Sequence, residues 1–429
     1  MRKIPLHSLI LMIGPTGSGK TFIANSKFDS YEILGIDDVR HSLIGDRFRH
    51  DINYLVEDEI CRLIELKLKL GERVVVDSSN LTPRERSRYT DIGDKFGVPI
   101  FYIIVNRPNE EKEKSLHKNA PSSHIRKNNE FFLENEAECL RGDSKASVID
   151  TRVEQFTVIK KYLGENMLTQ IKTRGFKGIT VAGDIHGNLE SLKNTIEWAQ
   201  TRRCLFLQLG DLVDYGPKPV DCINLMYDRV TRGLGIMVIG NHERKIERWL
   251  SYQNMIKSDP SLALTKKPPV LSEGNMVTVR QIEDLSEIER FRFEARFAAL
   301  MNLARHHWII GNFLFAHGAV DSEMWKMTGS RLSARLESLA IFGELDKNAP
   351  KKDNGYPNRI YNWVDKIPLG KTAIVGHDIR STLKPKIVKG VRGGTAVFMD
   401  TGSSKGGHLS TADIVFSNDE LKLQNFNWQ

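Results

Sequence analysis

The sequence predicts an α/β protein built from two successive domains, and three observations support this fold class. Short apolar runs recur along the 429 residues, each bounded by glycine and polar residues, as expected of buried strands. A glycine-rich loop follows the first run, and clusters of aspartate, histidine and asparagine follow several later ones. Because the two halves carry different motifs, we assign residues 1–168 to the first domain and residues 172–429 to the second.

The composition is that of an ordinary globular chain. Hydrophobic residues make up 40% of it and charged residues 27%, which are typical values for globular domains. The sequence has no apolar stretch of transmembrane length, and its first residues lack the features of a signal peptide. Its four cysteines are too widely spaced for a disulfide framework or a metal-binding pair. We therefore expect a cytoplasmic protein with buried thiols and no membrane contact.

The positive charge is unevenly distributed. The first 170 residues contain 26 basic and 26 acidic side chains, so the net charge of +8 comes from the remainder. Residues 350–392 alone hold ten basic and three acidic side chains. Such a stretch can attract a polyanion through phosphate contacts, or it can simply be a solvated face.

The first apolar run, residues 8–13, leads directly into a phosphate-binding motif. The motif GxxxxGK(S/T) is matched at every fixed position by Gly14, Pro15, Thr16, Gly17, Ser18, Gly19, Lys20 and Thr21. In such a loop, backbone N–H groups surround phosphate oxygens at the start of a helix. We expect Lys20 to reach the β- and γ-phosphates of a nucleotide and Thr21 to ligate Mg²⁺. The alternative is a structural glycine-rich turn.

Two further runs of the first domain end in polar residues that suit phosphate transfer. Residues 31–36 lead to Asp37 and Arg40, a carboxylate that could accept a hydroxyl proton and an arginine that could hold a phosphate. Residues 73–76 lead to Asp77, which could order Mg²⁺ through water, and to Asn80 and Arg84, which could fix the chain or a phosphate. Each of these residues could instead serve only as a helix cap or a structural contact.

The remainder of the first domain is predicted from periodicity. Residues 51–70 have the pattern of an amphipathic helix, and residues 99–105 that of a strand. The polar helical region 109–145 follows, where Lys118 or Arg126 could contact phosphate or could belong to a solvated face.

Residues 1–165 resemble the kinase domain of the polynucleotide 5′-kinases, in which a P-loop, a DxxR element and a Dx(S/T)N segment recur in this order. The resemblance implies a P-loop NTPase parallel sheet that binds ATP with Mg²⁺. It also implies that Asp37 is the general base for a 5′-hydroxyl and that Arg40 clamps the phosphate of the acceptor nucleotide. The lid departs from the family pattern, because residues 114–119 lack the paired arginines that are common there.

Three apolar runs of the second domain, residues 178–182, 204–209 and 234–239, are each followed by a polar cluster. The clusters contain Asp184 and His186, then Asp211 and Asp214, then Asn241 and His242. Parallel strands of an α/β sheet bring their carboxyl ends to one edge, where ligands bind. Oxygen and imidazole donors gathered there suit two divalent metals. The alternative is that these residues only cap helices.

Two later strands supply further donors. Residues 313–316 lead to His317 and residues 372–375 lead to His377, each beside a glycine that allows close approach to a metal. Between these motifs, residues 245–305 have helical periodicity interrupted at 266–269, which suits either a cap over the site or a plain helical layer.

Residues 178–410 resemble the calcineurin-like metallophosphoesterases, whose pattern GDxHG, GDxxDRG, GNHE, HG and GH is present in order. The resemblance implies an α/β sandwich with two metals, expected to be Mn²⁺. By this resemblance Asp184, His186 and His317 bind one metal, Asn241 and His377 bind the other, and Asp211 bridges both. It also implies that His242, oriented by an acidic partner such as Asp214, assists the leaving oxygen. Tyr215 replaces the family arginine that grips phosphate, so either Arg380 or Arg392 substitutes for it or phosphate binds more weakly.

The two domains together resemble the bacterial and phage polynucleotide kinase-phosphatases. This resemblance implies that the chain phosphorylates 5′-hydroxyl ends and clears 3′-phosphate or 2′,3′-cyclic phosphate ends of RNA or DNA. Residues 351–354 lack the glycine of a ligase nucleophile motif, so we expect a separate nucleic-acid ligase as partner. The alternatives are a serine/threonine phosphatase or dinucleoside-polyphosphate hydrolase with a regulatory P-loop domain, and a non-enzymatic nucleic-acid tether. The sequence leaves open the oligomeric state, including a homo-oligomer.

Overall fold

The protein divides into two compact units, Met1–Lys160 and Lys161–Gln429. The computed structural model describes residues 1–47, 49–114, 122–142, 145–328, 332–346, 349–350 and 358–428. None of the helices in these ranges combines the length and apolar character that a membrane span needs.

The boundary between the units differs from the expected one at 168. Residues 161–168 belong to the second unit, because Tyr162 and Met167 are buried in its core together with Ile171.

The first unit is a parallel sheet with flanking helices. Its strands are β1 (Arg2–Ile4), β2 (Leu9–Ile13), β3 (Ile33–Gly35), β4 (Val74–Asp77), β5 (Ile100–Ile104), β6 (Ala146–Asp150) and β7 (Phe156–Val158). Its helices are α1 (Lys20–Lys27), α2 (Ile36–Ile44), α3 (Asn53–Lys69), α4 (Pro83–Phe96), α5 (Asn109–Lys114) and α6 (Ser122–Arg141). Short 3₁₀ turns cover Ser30–Glu32 and His50–Ile52.

The sheet order places β2 in the centre of the first unit. Five parallel strands run in the order β3-β4-β2-β5-β6, while β1 and β7 pair separately. All five residues of β2 are buried, as are all five of β5. The glycine-rich loop therefore leaves the middle of the sheet and enters α1, which confirms the predicted strand–loop–helix order. Strand β6 was not predicted, because it lies at the sheet edge and only one of its residues is buried.

The second unit contains two mixed sheets. Its helices are α7 (Met167–Thr173), α8 (Leu189–Thr201), α9 (Pro219–Thr231), α10 (Asn241–Ser258), α11 (Glu273–Glu283), α12 (Glu287–Leu303) and α13 (Ala334–Phe342). Its strands are β8 (Gly178–Ala182), β9 (Cys204–Gln208), β10 (Gly235–Met237), β11 (His307–Ile310), β12 (Phe313–Ala316), β13 (Thr372–Val375), β14 (Lys386–Lys389), β15 (Thr395–Phe398), β16 (Ser410–Ser417) and β17 (Glu420–Trp428). Short 3₁₀ turns cover Pro260–Leu264, Ser322–Lys326 and Val364–Lys366.

The two sheets form the predicted α/β sandwich. One runs in the order β10-β9-β8-β16-β17 and the other in the order β11-β12-β13-β15-β14. Their inner faces share one core, in which Val181 and Leu207 of the first sheet meet Phe315 and Ile374 of the second. Helices α8 to α12 cover the outer face of the first sheet, and α13 covers that of the second.

The segment between β10 and β11 is helical, as its periodicity predicted. The interruption expected at 266–269 lies between α10 and α11. A second break separates α11 from α12, where Ser286 caps the new helix by accepting the N–H of Glu289. The predicted periodicity covered 246–256 and 282–303, so it located α10 and α12, whereas α11 was not predicted.

Candidate metal centre and phosphate-binding loop

Strand register brings the polar clusters of the second unit to one edge. Strands β8, β9 and β10 are parallel neighbours, so the residues after their carboxyl ends lie side by side. Strands β12 and β13 are also parallel, with Ala316 opposite Val375, which places His317 and His377 next to one another. Their ring centroids are 4.7 Å apart.

Asp211 lies at the centre of the candidate ligands. Its carboxylate oxygens are 3.3 Å from Nε2 of His317 and 3.9 Å from Nε2 of His186. Candidate ligand atoms of two triads, His186–Asp211–His242 and Asp211–His317–His377, each lie within 4.8 Å of one another. Asp211 belongs to both triads, and its role as a ligand that bridges two metals stays a prediction.

His317 lies close to candidate ligands of both metals. Its Nε2 is 3.0 Å from Oδ1 of Asn241, and it shares a triad with His377. Its charge also acts on Asp184, beside which we expected it. The parallel pairing of β12 and β13 ties His317 to the strand that carries His377. How the ligands divide between two metals stays a prediction.

Asp184 completes the cluster from the opposite side. Both of its carboxylate oxygens accept the backbone N–H of His377, at 3.0 and 3.1 Å. A Cβ atom at Gly376 would lie 2.2 Å from Oδ1 of Asp184, so this glycine leaves the space that the carboxylate occupies.

The electrostatics of the centre fit bound cations. Burial and the nearby Asp400 raise the pKa of Asp184 well above its usual range. Asp400 is itself buried, and its Oδ2 has no hydrogen-bond partner in the described residues. Burial lowers the pKa of His186 to about 3 and that of His377 well below its usual value. Neutral imidazoles beside crowded, incompletely paired carboxylates are the donor set that a pair of divalent cations requires.

Glu243 fixes the loop that carries Asp211. Its carboxylate accepts the backbone N–H groups of Asp211, Leu212 and Gly240 at 2.7 to 3.1 Å. The glutamate of the Asn-His-Glu cluster therefore orients the bridging ligand from the neighbouring strand end.

His242 is held by the acidic partner that we anticipated. Its Nδ1 makes a short hydrogen bond with Asp214. Asp214 also accepts hydrogen bonds from Asn275 and, at 2.5 Å, from the hydroxyl of Thr278. Burial opposes protonation of His242, but Asp211 and Asp214 together raise its pKa. The helices beyond β10 thus contribute directly to the site.

Two cations at the site were missed by sequence reasoning. Nζ of Lys405 lies 2.8 Å from Nε2 of His186 and 4.2 Å from the ring centroid of Tyr215. An Nη2 atom of Arg359 lies 2.6 Å from Nε2 of His377. Both residues come from irregular segments without a recognisable motif. The only sequence signal was the surplus of basic residues in the second half of the chain.

The two arginines proposed to replace the family arginine make no contact with Tyr215 among the described contacts. Arg380 stacks on Tyr361 at 4.0 Å and pairs with Asp378 at 3.9 Å. Arg392 is exposed on the turn between β14 and β15. Lys405 is therefore the cation that accompanies Tyr215.

The glycine-rich loop of the first unit has the backbone of a phosphate-binding loop. Gly14, Gly17 and Gly19 adopt φ values of 153°, 79° and 100°, which glycine tolerates best. The ammonium of Lys20 donates to the carbonyls of Gly14 and Pro15 at 2.9 and 3.0 Å. Burial lowers the pKa of Lys20 to about 8, against the opposing charges of Asp77 and Asp37.

Two further polar contacts of the first unit differ in their roles. Thr21 donates to Asp77 at 2.6 Å, which is the pairing that a Mg²⁺ site beside the loop needs. By contrast, Asn80 donates to the carbonyl of Met12 at 2.8 Å inside the core and serves a structural role.

Arg40 differs from its expected role. Its side chain is only 1% exposed and its guanidinium pairs with Asp37 at 2.5 Å. It also donates to Oδ1 of Asn53 at 2.8 Å. A buried, paired guanidinium suits orientation of the Asp37 carboxylate, which is 63% exposed, better than it suits clamping an acceptor phosphate.

Helix α6 lies against the glycine-rich loop, in the position expected of a lid. Oδ1 of Asn128 accepts the backbone N–H of Thr16 at 2.8 Å. Lys112, from α5, is buried against Gly17 and bonds to Asn129. Arg126 is exposed on α6, and Lys118 lies outside the described residues.

Two different family models match the two parts of the chain. The model of the calcineurin-like phosphoesterase family matches residues 178–395, slightly more than half of the chain. A family model described as an AAA domain matches residues 9–131.

Two curated relatives each match about half of the chain. The asymmetrical bis(5′-nucleosyl)-tetraphosphatase PrpE of Oceanobacillus iheyensis is 22% identical over 244 residues, 54% of this chain and 86% of that protein. The protein of the same name from Halalkalibacterium halodurans is 24% identical over 242 residues, 54% of this chain and 87% of its own length. A metallophosphoesterase structure from Sphaerobacter thermophilus is 16% identical over 59% of this chain and 89% of its own, with a TM-score of 0.31 that supports no argument.

Proposed function

The chain belongs to the calcineurin-like phosphoesterase family, and from this premise we propose that it heals broken nucleic-acid ends. The second unit would remove a 3′-phosphate or open and clear a 2′,3′-cyclic phosphate. The first unit would transfer the γ-phosphate of ATP, bound with Mg²⁺, to a 5′-hydroxyl. The observation that carries the proposal is the presence, in one chain, of a candidate phosphoesterase centre and a P-loop whose Lys20 lies within electrostatic range of an exposed carboxylate, Asp37.

In the second unit, Asp184, His186 and Asp211 would hold one divalent cation, and Asp211, Asn241, His317 and His377 would hold the other. When bound, a pair of cations, expected to be Mn²⁺, would neutralise charge on the phosphoryl group and provide hydroxide near neutral pH.

The protein groups around this centre have separate tasks. His242 would protonate the leaving oxygen, because Asp214 holds its ring and favours its protonated form. Lys405 and Arg359 would bind phosphate oxygens from opposite sides of the centre, since one contacts His186 and the other His377. Lys405 would thereby supply the charge that Tyr215 lacks.

In the first unit, the loop would bind ATP as in other P-loop proteins. Lys20 would leave the carbonyls of Gly14 and Pro15 for the β- and γ-phosphates, and Thr21 with Asp77 would coordinate Mg²⁺. Asp37, oriented by Arg40, would accept the proton of the attacking hydroxyl.

A second candidate function has specific support. Both PrpE relatives are named bis(5′-nucleosyl)-tetraphosphatases and are matched over most of their own length by about half of this chain. In this alternative the chain hydrolyses a dinucleoside polyphosphate, and the P-loop unit is regulatory.

End-group analysis separates the two functions. A 5′-hydroxyl, 3′-phosphate RNA is incubated with ATP and divalent metal, and P¹,P⁴-bis(5′-adenosyl) tetraphosphate is assayed in parallel. We expect conversion of both RNA ends, with Lys20→Ala abolishing only 5′-phosphorylation and Asp211→Ala abolishing only removal of the 3′-phosphate. Rapid cleavage of the tetraphosphate with both RNA ends unchanged would favour the alternative.

A further inference from the structure

A cleft lined by cationic side chains lies along α10, the helix that begins with the candidate ligand Asn241. It has a volume of about 590 Å³ and lies between one face of α10 and residues 266–270, which follow that helix. From α10 it is lined by Lys245, Arg248, Tyr252 and Met255, whose spacing of three and four residues places them on one helical face.

All the charged side chains that line the cleft are cationic. Lys245 and Arg248 face Lys266 and Lys267, and no carboxylate is among the lining residues. Among the described residues, Arg248, Lys266 and Lys267 form no ion pair, whereas Arg244 on the same helix pairs with Glu247 at 2.6 Å. Because the walls of the cleft carry four cations and no carboxylate, they would attract a polyanionic ligand.

The cleft also offers apolar surface at its centre. The hydroxyl of Tyr252 donates to the carbonyl of Lys266 at 3.4 Å, which fixes the ring across the opening. Val270, on the opposite wall, is 93% exposed. A positive groove that contains an aromatic ring is the combination that binds single-stranded nucleic acid, with lysines on phosphates and a base on the ring.

The cleft is connected to the reacting groups by a short series of contacts. Nζ of Lys245 lies 3.5 Å from Oδ1 of Asn275. Asn275 in turn donates to Asp214, which holds His242. Two contacts therefore link Lys245 of the cleft to Asp214, the partner of the residue that we propose to serve the leaving oxygen.

We propose that this cleft binds the single-stranded nucleic acid on the 5′ side of the terminal phosphate. The proposal rests on the proposed function and specifies its substrate as a polynucleotide. Lys266 and Lys267 contact backbone phosphates, and Tyr252 stacks on a base.

The test measures binding and chemistry separately. Fluorescence anisotropy follows a labelled single-stranded RNA that carries a 3′-phosphate, over a range of salt concentrations. The test variant is Lys266→Ala/Lys267→Ala. The control is Lys386→Ala/Lys389→Ala, which removes the same charge from the exposed residues of β14. Hydrolysis of p-nitrophenyl phosphate reports whether the metal centre is intact.

We expect the Lys266→Ala/Lys267→Ala variant to bind RNA about tenfold more weakly, with a salt slope about 1.4 units shallower, since each lost phosphate contact removes about 0.7. Tyr252→Leu should weaken binding about fivefold or more without changing the salt slope. Hydrolysis of p-nitrophenyl phosphate should be unchanged in both variants.

Three outcomes would overturn the proposal: equal weakening by the control, an unchanged salt slope, or a selective loss of dinucleoside-tetraphosphate hydrolysis with RNA binding intact. Failure of the proposed function looks different. In that case the wild-type protein hydrolyses p-nitrophenyl phosphate but leaves the 3′-phosphate of the RNA in place.

Discussion

At the scale of single residues, a lysine lies beside Tyr215, the residue in the position of the family arginine. Tyr215 can donate a hydrogen bond but carries no charge. Lys405, from the loop between β15 and β16, has its ammonium 4.2 Å from the centroid of the Tyr215 ring. The aromatic ring therefore holds the lysine beside His186 through a cation–π contact.

Replacing Lys405 should weaken binding of the substrate phosphate. For Lys405→Ala we expect kcat/KM for p-nitrophenyl phosphate to fall about tenfold or more, mainly through KM, because a hydrogen bond to a charged group is worth about 1.5–3 kcal/mol. Lys405→Arg should retain most activity. Steady-state kinetics measure kcat and KM of both variants. Inorganic phosphate should inhibit the Lys405→Ala variant more weakly than the wild type.

A compensating exchange provides the control for this prediction. Tyr215→Arg combined with Lys405→Ala should recover KM, because the charge returns at the neighbouring position. A Lys405→Ala variant that loses bound manganese, or that loses kcat with KM unchanged, would contradict a role in gripping phosphate.

These residues also show which parts of the site could be predicted from sequence. Asp184, Asp211 and His317 were recognisable because each directly follows a buried strand beside glycine. Lys405 and Arg359 were not, because their positions depend on how irregular segments fold back over the sheet edge. The local periodicity of a sequence does not indicate which distant segments fold back onto the sheet edge.

At the scale of secondary-structure elements, the strand ends are packed so closely that only glycine fits at several positions. Gly210 has a φ of 99°, and a Cβ there would lie 2.7 Å from Nδ1 of His317. A Cβ at Gly376 would lie 2.2 Å from Oδ1 of Asp184. The glycines next to the ligands therefore set the distance between adjacent strand ends.

A methyl group at Gly376 should displace Asp184 and weaken metal binding. We expect Gly376→Ala to lower manganese affinity about 10- to 100-fold, the usual effect of disturbing the support of a ligand, while phosphorylation of 5′-hydroxyl RNA is retained. Isothermal titration calorimetry measures the affinity, with Thr372→Ala on the same strand as control. Unchanged manganese affinity would mean that Asp184 is not a ligand.

Strand β11 carries a buried histidine, His307, whose protonation makes the stability of the fold depend on pH. The ring of His307 is buried, with Nε2 3.0 Å from the carbonyl oxygen of Met327. Burial lowers the pKa of His307 from 6.5 to about 4. The unfolded chain therefore binds this proton more readily, so the stability present above pH 6.5 is lost as the pH falls toward 4.

His307→Gln should remove this part of the acid sensitivity. We expect the loss of unfolding free energy between pH 7 and pH 5 to shrink by about 2 kcal/mol, the value that follows from a shift of this size. Urea unfolding followed by tryptophan fluorescence measures this free energy at each pH. The signal reports on the unit that contains His307, because all six tryptophans lie in the second unit. Equal pH dependence in variant and wild type would show that His307 titrates normally.

The elements themselves were largely predictable. Buried strands such as β2, β5 and β8 are continuous apolar runs, and sequence located them to within one or two residues. Helix α11 was not predicted, because the helical periodicity found in the sequence resumes only at residue 282, near its end.

At the scale of the whole molecule, each unit has a hydrophobic core of its own. Residues of β2, β4 and β5 form the core of the first unit. The core between the two sheets of the second unit includes Tyr162, Met167 and Ile171, which precede its first strand. Sequence placed the boundary later because it followed the first strand motif, and the polar residues around 164–166 resemble a linker.

The position of the boundary can be tested by truncation. We expect the fragment 161–429 to melt about 10 °C or more above the fragment 172–429. The longer fragment retains three buried side chains worth about 1.5–3 kcal/mol each, and a domain of this size shifts by about 2–4 °C per kcal/mol. It also keeps the hydrogen bond from the Tyr162 hydroxyl to the carbonyl of Gly233, at 3.0 Å.

The first unit supplies the matched control for this truncation. Extending the fragment 1–160 to 1–168 adds residues whose buried partners belong to the other unit, so its melting temperature, followed by circular dichroism, should not change. If the extension stabilised the first unit while 161–429 and 172–429 melted together, residues 161–168 would belong to the first domain. In that case the burial of Tyr162 and Met167 would contribute little to the stability of the second.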